Sequence, residues 1–143
     1  MEQVSVREDE KLILQLFETA GYLERRLDRV LSYTRGISFR EYHMLRELAL
    51  HFNDAATRVD LAAAVGLTPS AVTRALKPLE KLGYIQTRKD ERDARRSLAM
   101  LTETGQTLYR EAQTLVQEQV NLLPLDQLNR TDLAQSLATL TSR

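Results

Sequence analysis

Ser70, Thr73, Arg74, Lys77 and Lys81 are the residues whose types and spacing point most directly to a chemistry. At about 100° per residue on a helix they fall within about 100° of one another, opposite Val72, Leu76 and Leu79. Hydroxyls and cations on one helix face suit phosphate oxygens and base edges, and the major groove of duplex DNA is wide enough to admit such a helix. A charged face alone is also what an ordinary solvated helix presents. The neighbouring sequence favours the first interpretation: from Arg58 to Arg96 there are nine Lys/Arg against five Asp/Glu, a local +4 in a chain of zero net charge. Arg92 and Arg95 belong to this block, in a connector from Lys89 to Arg96 that also holds Asp90, Glu91 and Asp93. Its acids are expected to brace its arginines.

Catalytic patterns are not found. The chain has no cysteine, which removes a thiol nucleophile, a cysteine zinc site, disulfides and a thiol redox switch. Its five glycines have no phosphate-loop spacing. His43 and His51 fall about 80° apart on one predicted helix and lack further ligands at metal-site spacing, so they are expected to cap or pack. No enzyme, cofactor or metal is expected.

The elements that must position the basic face can be read from periodicity and caps. At 143 residues and 43% hydrophobic content, one folded unit is expected. No apolar run approaches the roughly 18 residues of a bilayer span, and the start is polar, so a cytoplasmic protein with no membrane contact is expected. Apolar residues from Leu12 to Leu31 recur at steps of three and four, predicting a helix from Glu8 to about Tyr33 that Gly36 stops. Ser38 and Glu41 have capping-box spacing before a second helix near Phe39. Thr57 and Asp60 cap a short helix, Arg58 to Val65, ending at Gly66. Thr68 then caps, and Pro69 opens, a further helix at once. Two short helices across a glycine turn make a helix-turn-helix, with Ala62 and Val72 packed inward. Pro78 is expected to bend the second of them or loosen its last turns. Residues 84–88 and 97–101 predict two strands of a wing around the charged connector. Thr102 caps a helix with apolar positions from Leu108 to Leu123, and a last helix lies between Asp126 and Leu140.

The run Leu61-Ala62, Gly66-Leu67-Thr68-Pro69-Ser70-Ala71-Val72-Thr73-Arg74 and Leu79-Glu80-Lys81-Leu82-Gly83-Tyr84-Ile85 resembles the helix-turn-helix and first wing strand of the MarR family of transcription factors. Asp90, Asp93 and Arg95 are similar to the family's wing, Leu101-Thr102-Glu103-Thr104-Gly105 to the segment closing it, and Ser38, Tyr42 and Leu45 to its second helix. The resemblance implies a mainly α fold with a small β-hairpin wing. A winged helix-turn-helix over residues 37–101 would be flanked by dimerisation helices at 8–35 and 102–142 within one unit, 1–143. It implies a regulator, usually a repressor, that binds a pseudo-palindromic operator in double-stranded DNA as a homodimer and releases it on binding a small molecule. Ser70, Thr73 and Arg74 would face the major groove and Arg95 the minor groove, with Lys77, Lys81 and Arg92 on the same DNA-binding surface. Pro78 departs from the pattern, and the absence of cysteine excludes the thiol-sensing branch.

A dimer also follows from burial, since the terminal helices carry more apolar positions than a small reading unit can cover. Tyr22, Tyr33, Phe39 and Tyr42 on or beside the first two helices are candidates for the pocket of a small apolar or phenolic effector, with core packing as the alternative. A winged-helix adaptor that docks a protein instead of DNA is the competing function, and it predicts binding with little salt dependence.

Overall fold

Each helix of the central region starts where a side-chain oxygen meets the free amides of its first turn. In the computed structural model, which describes residues 2–142, Ser38 and Glu41 form a reciprocal capping box at the start of α2 (Phe39–Leu50). Thr57 accepts from the Asp60 amide at 3.1 Å to open α3 (Arg58–Val65), and Thr68 accepts from the Ala71 amide at 3.1 Å to open α4 (Pro69–Lys81). Thr102 does the same for α5 (Glu103–Asn121) through the Gly105 amide at 3.0 Å. Each bond satisfies an amide that has no partner within its own helix. Between α3 and α4, Gly66 takes the left-handed conformation at φ 70°, where a side chain would be strained, and Leu67 N–H returns to the Ala62 carbonyl at 3.0 Å.

The sheet has three antiparallel strands, with β3 (Ser97–Leu101) between β1 (Ala55–Thr57) and β2 (Ile85–Lys89). Ile85 pairs with Leu101 and Lys89 with Ser97 in the hairpin, while Ala55 pairs with Met100 on the other edge. The predicted strand pair is therefore present, shifted by one residue at β2. β1 was not anticipated: Asn53 and Asp54, both at positive φ, turn the chain into it.

The core is organised around α2, whose Met44, Leu45 and Leu48 are fully buried against Leu61 of α3, Val72, Leu76 and Leu79 of α4 and Leu108 and Ala112 of α5. Ala62 and Val72 point inward, as the close packing of the two short helices requires. α4 runs unbroken through Pro78, and the Leu82 amide still reaches the Pro78 carbonyl at 3.1 Å, so the expected loosening of its last turns does not occur. Arg74 is the residue whose carbonyl loses a partner, because proline has no N–H.

The chain ends differ. α1 (Glu2–Arg35) begins earlier than its apolar periodicity indicated and enters the core only through its C-terminal half, where Leu27 and Leu31 are buried. Residues 3–15 are all exposed. α6 (Arg130–Thr141), joined to α5 by a 3-10 turn at Leu125–Gln127, has no buried residue. No described helix is long and apolar enough to cross a membrane.

Candidate nucleic-acid interface

On α4 the apolar stripe is covered and the opposite face is open. Ser70, Arg74, Lys77 and Lys81 are exposed, and Thr73 is half-buried with its hydroxyl donating to the Pro69 carbonyl at 3.0 Å. That bond uses the Thr73 proton within the helix and leaves its oxygen free to accept. Among the described residues, none of Arg74, Lys77 and Lys81 has a carboxylate within ion-pair distance.

The wing is held by its acids in a way that differs from the expectation. Asp90 accepts from the Arg92 amide and Asp93 from the Arg95 amide, each at 3.0 Å, as aspartates do when they shape turns. The Asp90 amide donates to the Arg96 carbonyl at 3.0 Å across the loop base. The acids thus fix the backbone and do not pair with the guanidinium groups. Arg92, Arg95 and Arg96 are exposed and, among the described residues, free of carboxylate partners, as are Arg88 and Lys89 on β2.

One residue ties the two parts together. Arg58, first residue of α3, donates to Ser97 Oγ at 2.9 Å and to Thr87 Oγ1 at 3.2 Å, and lies 3.8 Å from Glu80 of α4. Thr87 in turn donates to the Glu80 carboxylate. Glu80 stands about 20° around α4 from Thr73, so the wing root is fastened to the edge of the open face. The sequence did not single out Arg58 because its partners lie 29 and 39 residues away. Lys89, exposed on the strand face of Thr87 and paired with Ser97, also joins the candidate surface.

The four effector-pocket candidates are not gathered in one place. Phe39 and Tyr42 line a cleft of about 370 Å³ with His43, Arg46, Gln113, Val116 and Gln117. Tyr22 lines a separate cavity against Gln119, and Tyr33 is 95% exposed. In the Phe39 cleft the rings stack, with centroids 5.9 Å apart for Phe39 and Tyr42 and 6.5 Å for Phe39 and His43. Burial pushes the Tyr42 phenol up to about 12 and holds His43 below its ordinary value of 6.5. His43 and His51 flank the buried Glu47 carboxylate at 3.6 and 2.5 Å, with Arg46 at 3.2 Å.

Residues 35–96 match the profile of the MarR family. The matched segment runs from the end of α1 through the wing loop and is similar to that family. Sco3205, a MarR family transcriptional regulator from Streptomyces coelicolor solved in complex with DNA, is 26% identical, with a TM-score of 0.80 over 93% of this chain and 83% of its own. The transcriptional regulator BldR from Sulfolobus solfataricus shares the fold at a TM-score of 0.84 and 21% identity, over 94% of this chain and 95% of its own. The organohalide-sensing regulator RdhR, in its 2,4-dichlorophenol-bound form, shares it at 0.75 and 21%, over 92% and 78%. A comparison with curated protein sequences gives no match. The fold of this chain is thus that of winged-helix transcriptional regulators.

Proposed function

We propose that the chain is a sequence-specific regulator, acting as a repressor, that binds a two-fold related operator as a homodimer and is released by a small apolar or phenolic ligand. The observation that carries this reading is the pairing of two cationic surfaces, the open face of α4 and the wing, through Arg58 and Glu80. Cations without carboxylate partners are available for phosphates, and phosphate neutralisation supplies most non-specific affinity for DNA. The DNA complex of Sco3205 supports the same use here. The dimer is supported by the apolar surface left at both ends, including Val4, Leu12, Ile13, Phe17, Leu133, Leu137 and Leu140. The ligand step is supported by the Phe39 cleft and by the phenolic ligand of RdhR, and its expected coupling to DNA binding is about 1 to 3 kcal/mol.

In this reading Ser70, Thr73 and Arg74 meet base edges in the major groove, Lys77 and Lys81 meet phosphates, and Arg92 and Arg95 enter or border the minor groove. Selection from random duplex DNA is expected to return a two-fold related site, with reading helices about 34 to 36 Å apart. On that site Arg74→Ala should cost about 1 to 3 kcal/mol mainly at one base position. Arg95→Ala should weaken binding on most sequences, and neutralising Lys81 should lower the salt slope by about 0.9. Full retention of affinity by both arginine variants would refute the DNA surface and favour protein docking. Light scattering at the monomer mass of 16.4 kDa would refute the dimer.

A further inference from the structure

Thr57 pairs with Leu98 at the end of β1 and also caps α3, so the backbone at Arg58 is fixed on both sides before its side chain makes a contact. The hairpin needs an anchor of this kind. Its rung between Ile85 and Leu101 is buried, but Gln86, Thr87, Arg88 and Lys89 are all exposed, so β2 leaves the core after its first residue. Thr87 pairs with Ala99, which makes Ser97 its diagonal neighbour on the same face of the hairpin. The Arg58 guanidinium spans that diagonal, Nη1 donating to Ser97 Oγ at 2.9 Å and Nη2 to Thr87 Oγ1 at 3.2 Å, while Thr87 donates to Glu80 of α4. Among the described residues, these are the side-chain hydrogen bonds that join residues 86–97 to a helix. The side chains of Arg58 and Glu80 are 21% and 30% exposed, which shields the bonds from much of the competing water.

We infer that Arg58 is a positioning residue for DNA reading. It sets the offset between the open face of α4 and the wing, and so which base pairs Arg95 reaches relative to those that Arg74 meets. This role rests on the DNA reading and adds to it a residue that itself meets no DNA. Arg58 acts through geometry and not through charge, because Glu80, 3.8 Å away, offsets its charge.

The test combines a double-mutant cycle on the full chain, using a duplex that carries the site selected by the parent, with amide hydrogen exchange in the absence of DNA. Arg58→Met together with Glu80→Gln removes the latch and leaves the net charge unchanged, so any altered affinity is not an effect of total charge. Arg95→Ala weakens the parent, and in the latch-free variant the same substitution should matter about fivefold less. The Arg74→Ala loss should be equal in the two backgrounds, since α4 keeps its own packing. Without DNA, the hairpin amides from 87 to 98 should exchange about tenfold faster in the latch-free variant, while those of α2 keep the parent rate and report an intact core. Arg58→Lys keeps the charge and loses the planar fork, and it should follow the latch-free variant. An Arg95→Ala loss that is the same in both backgrounds overturns the inference, as do unchanged hairpin exchange or parent-like behaviour of Arg58→Lys. A parent that binds no duplex, or that is indifferent to Arg95→Ala, overturns instead the DNA reading beneath it, and shows this before any Arg58 variant is compared.

Discussion

The winged unit and the chain ends are built from the same apolar residue types and use them in opposite ways. Leu45, Leu48, Leu61 and Leu76 of the winged unit are fully covered within one chain, whereas Leu133 of α6 is 43% and Phe17 of α1 78% exposed. Each helix of the unit also has a side-chain cap and a neighbour to pack on, so its apolar stripe closes on itself. The N-terminal half of α1, and α6, have the stripe without the neighbour. Apolar content alone therefore does not say what a helix is for: the same pattern closes a core in one region and leaves an adhesive surface in the other.

The sharpest way to break that comparison sets Gly105 against Leu137. Gly105, in the first turn of α5, lies so close to the wing root that a Cβ would collide with the Tyr84 carbonyl oxygen and the Leu101 side chain. Backbone cannot move aside as a flexible side chain can, so Gly105→Ala is expected to lower unfolding free energy by about 3 kcal/mol in urea denaturation. Leu137→Asp, on the exposed face of α6, should leave the unfolding of the winged unit within about 0.5 kcal/mol while shifting the mass measured by light scattering toward the monomer. Equal losses from the two variants would mean that the ends and the unit unfold as one cooperative body.

How much of this could be read from the sequence follows the same division. The caps at Ser38, Thr57, Thr68 and Thr102 and the turn at Gly66 were legible because their chemistry is complete within about four residues. β1 was not, since its three residues are a strand only through pairing with β3 more than forty residues later. The wing acids were visible but their partners were not: backbone amides two residues on compete with nearby guanidinium groups, and only the loop geometry decides between them. Among the pocket candidates, Phe39 and Tyr42 are close in sequence and share a cleft, whereas Tyr22 and Tyr33 are eleven residues apart on one helix, about 16 Å along its axis. Local chemistry survives folding; proximity across elements has to be supplied by it.

A smaller effect is expected at the polar edge of the core. His43 sits between the Phe39 ring and the Glu47 carboxylate, with Arg46 beside it and only the uncharged Gln113, Val116 and Gln117 facing it from α5. Burial holds its pKa below 6.5 despite the opposing pull of Glu47. The unfolded chain therefore takes up the proton first, so the contribution of neutral His43 to stability is complete above about pH 6.5 and is lost as pH falls from there through the lower folded value. Thermal unfolding followed from about pH 8 to 5 should show a shallower acid slope for His43→Gln than for the parent. An unchanged slope would assign the acid sensitivity to other groups.

The smallest effect expected has an unusual sign and tests how complete the closed core is. Tyr109 is 5% exposed, its ring stacks on Tyr42 at 5.8 Å, and its hydroxyl is the buried side-chain polar atom without a hydrogen-bond partner among the described residues. A desolvated hydroxyl that bonds nothing costs free energy, while the ring that carries it contributes packing. Tyr109→Phe keeps the ring and removes the hydroxyl, so it should be neutral or stabilising by up to about 1 kcal/mol in urea denaturation. Tyr109→Leu separates the two contributions, because it loses the stacking as well and should destabilise by about 1 to 3 kcal/mol. If Tyr109→Phe instead lowers stability by about 1 kcal/mol or more, the hydroxyl is bonded in solution, and the core is satisfied at the position where the structure leaves a polar atom unmatched.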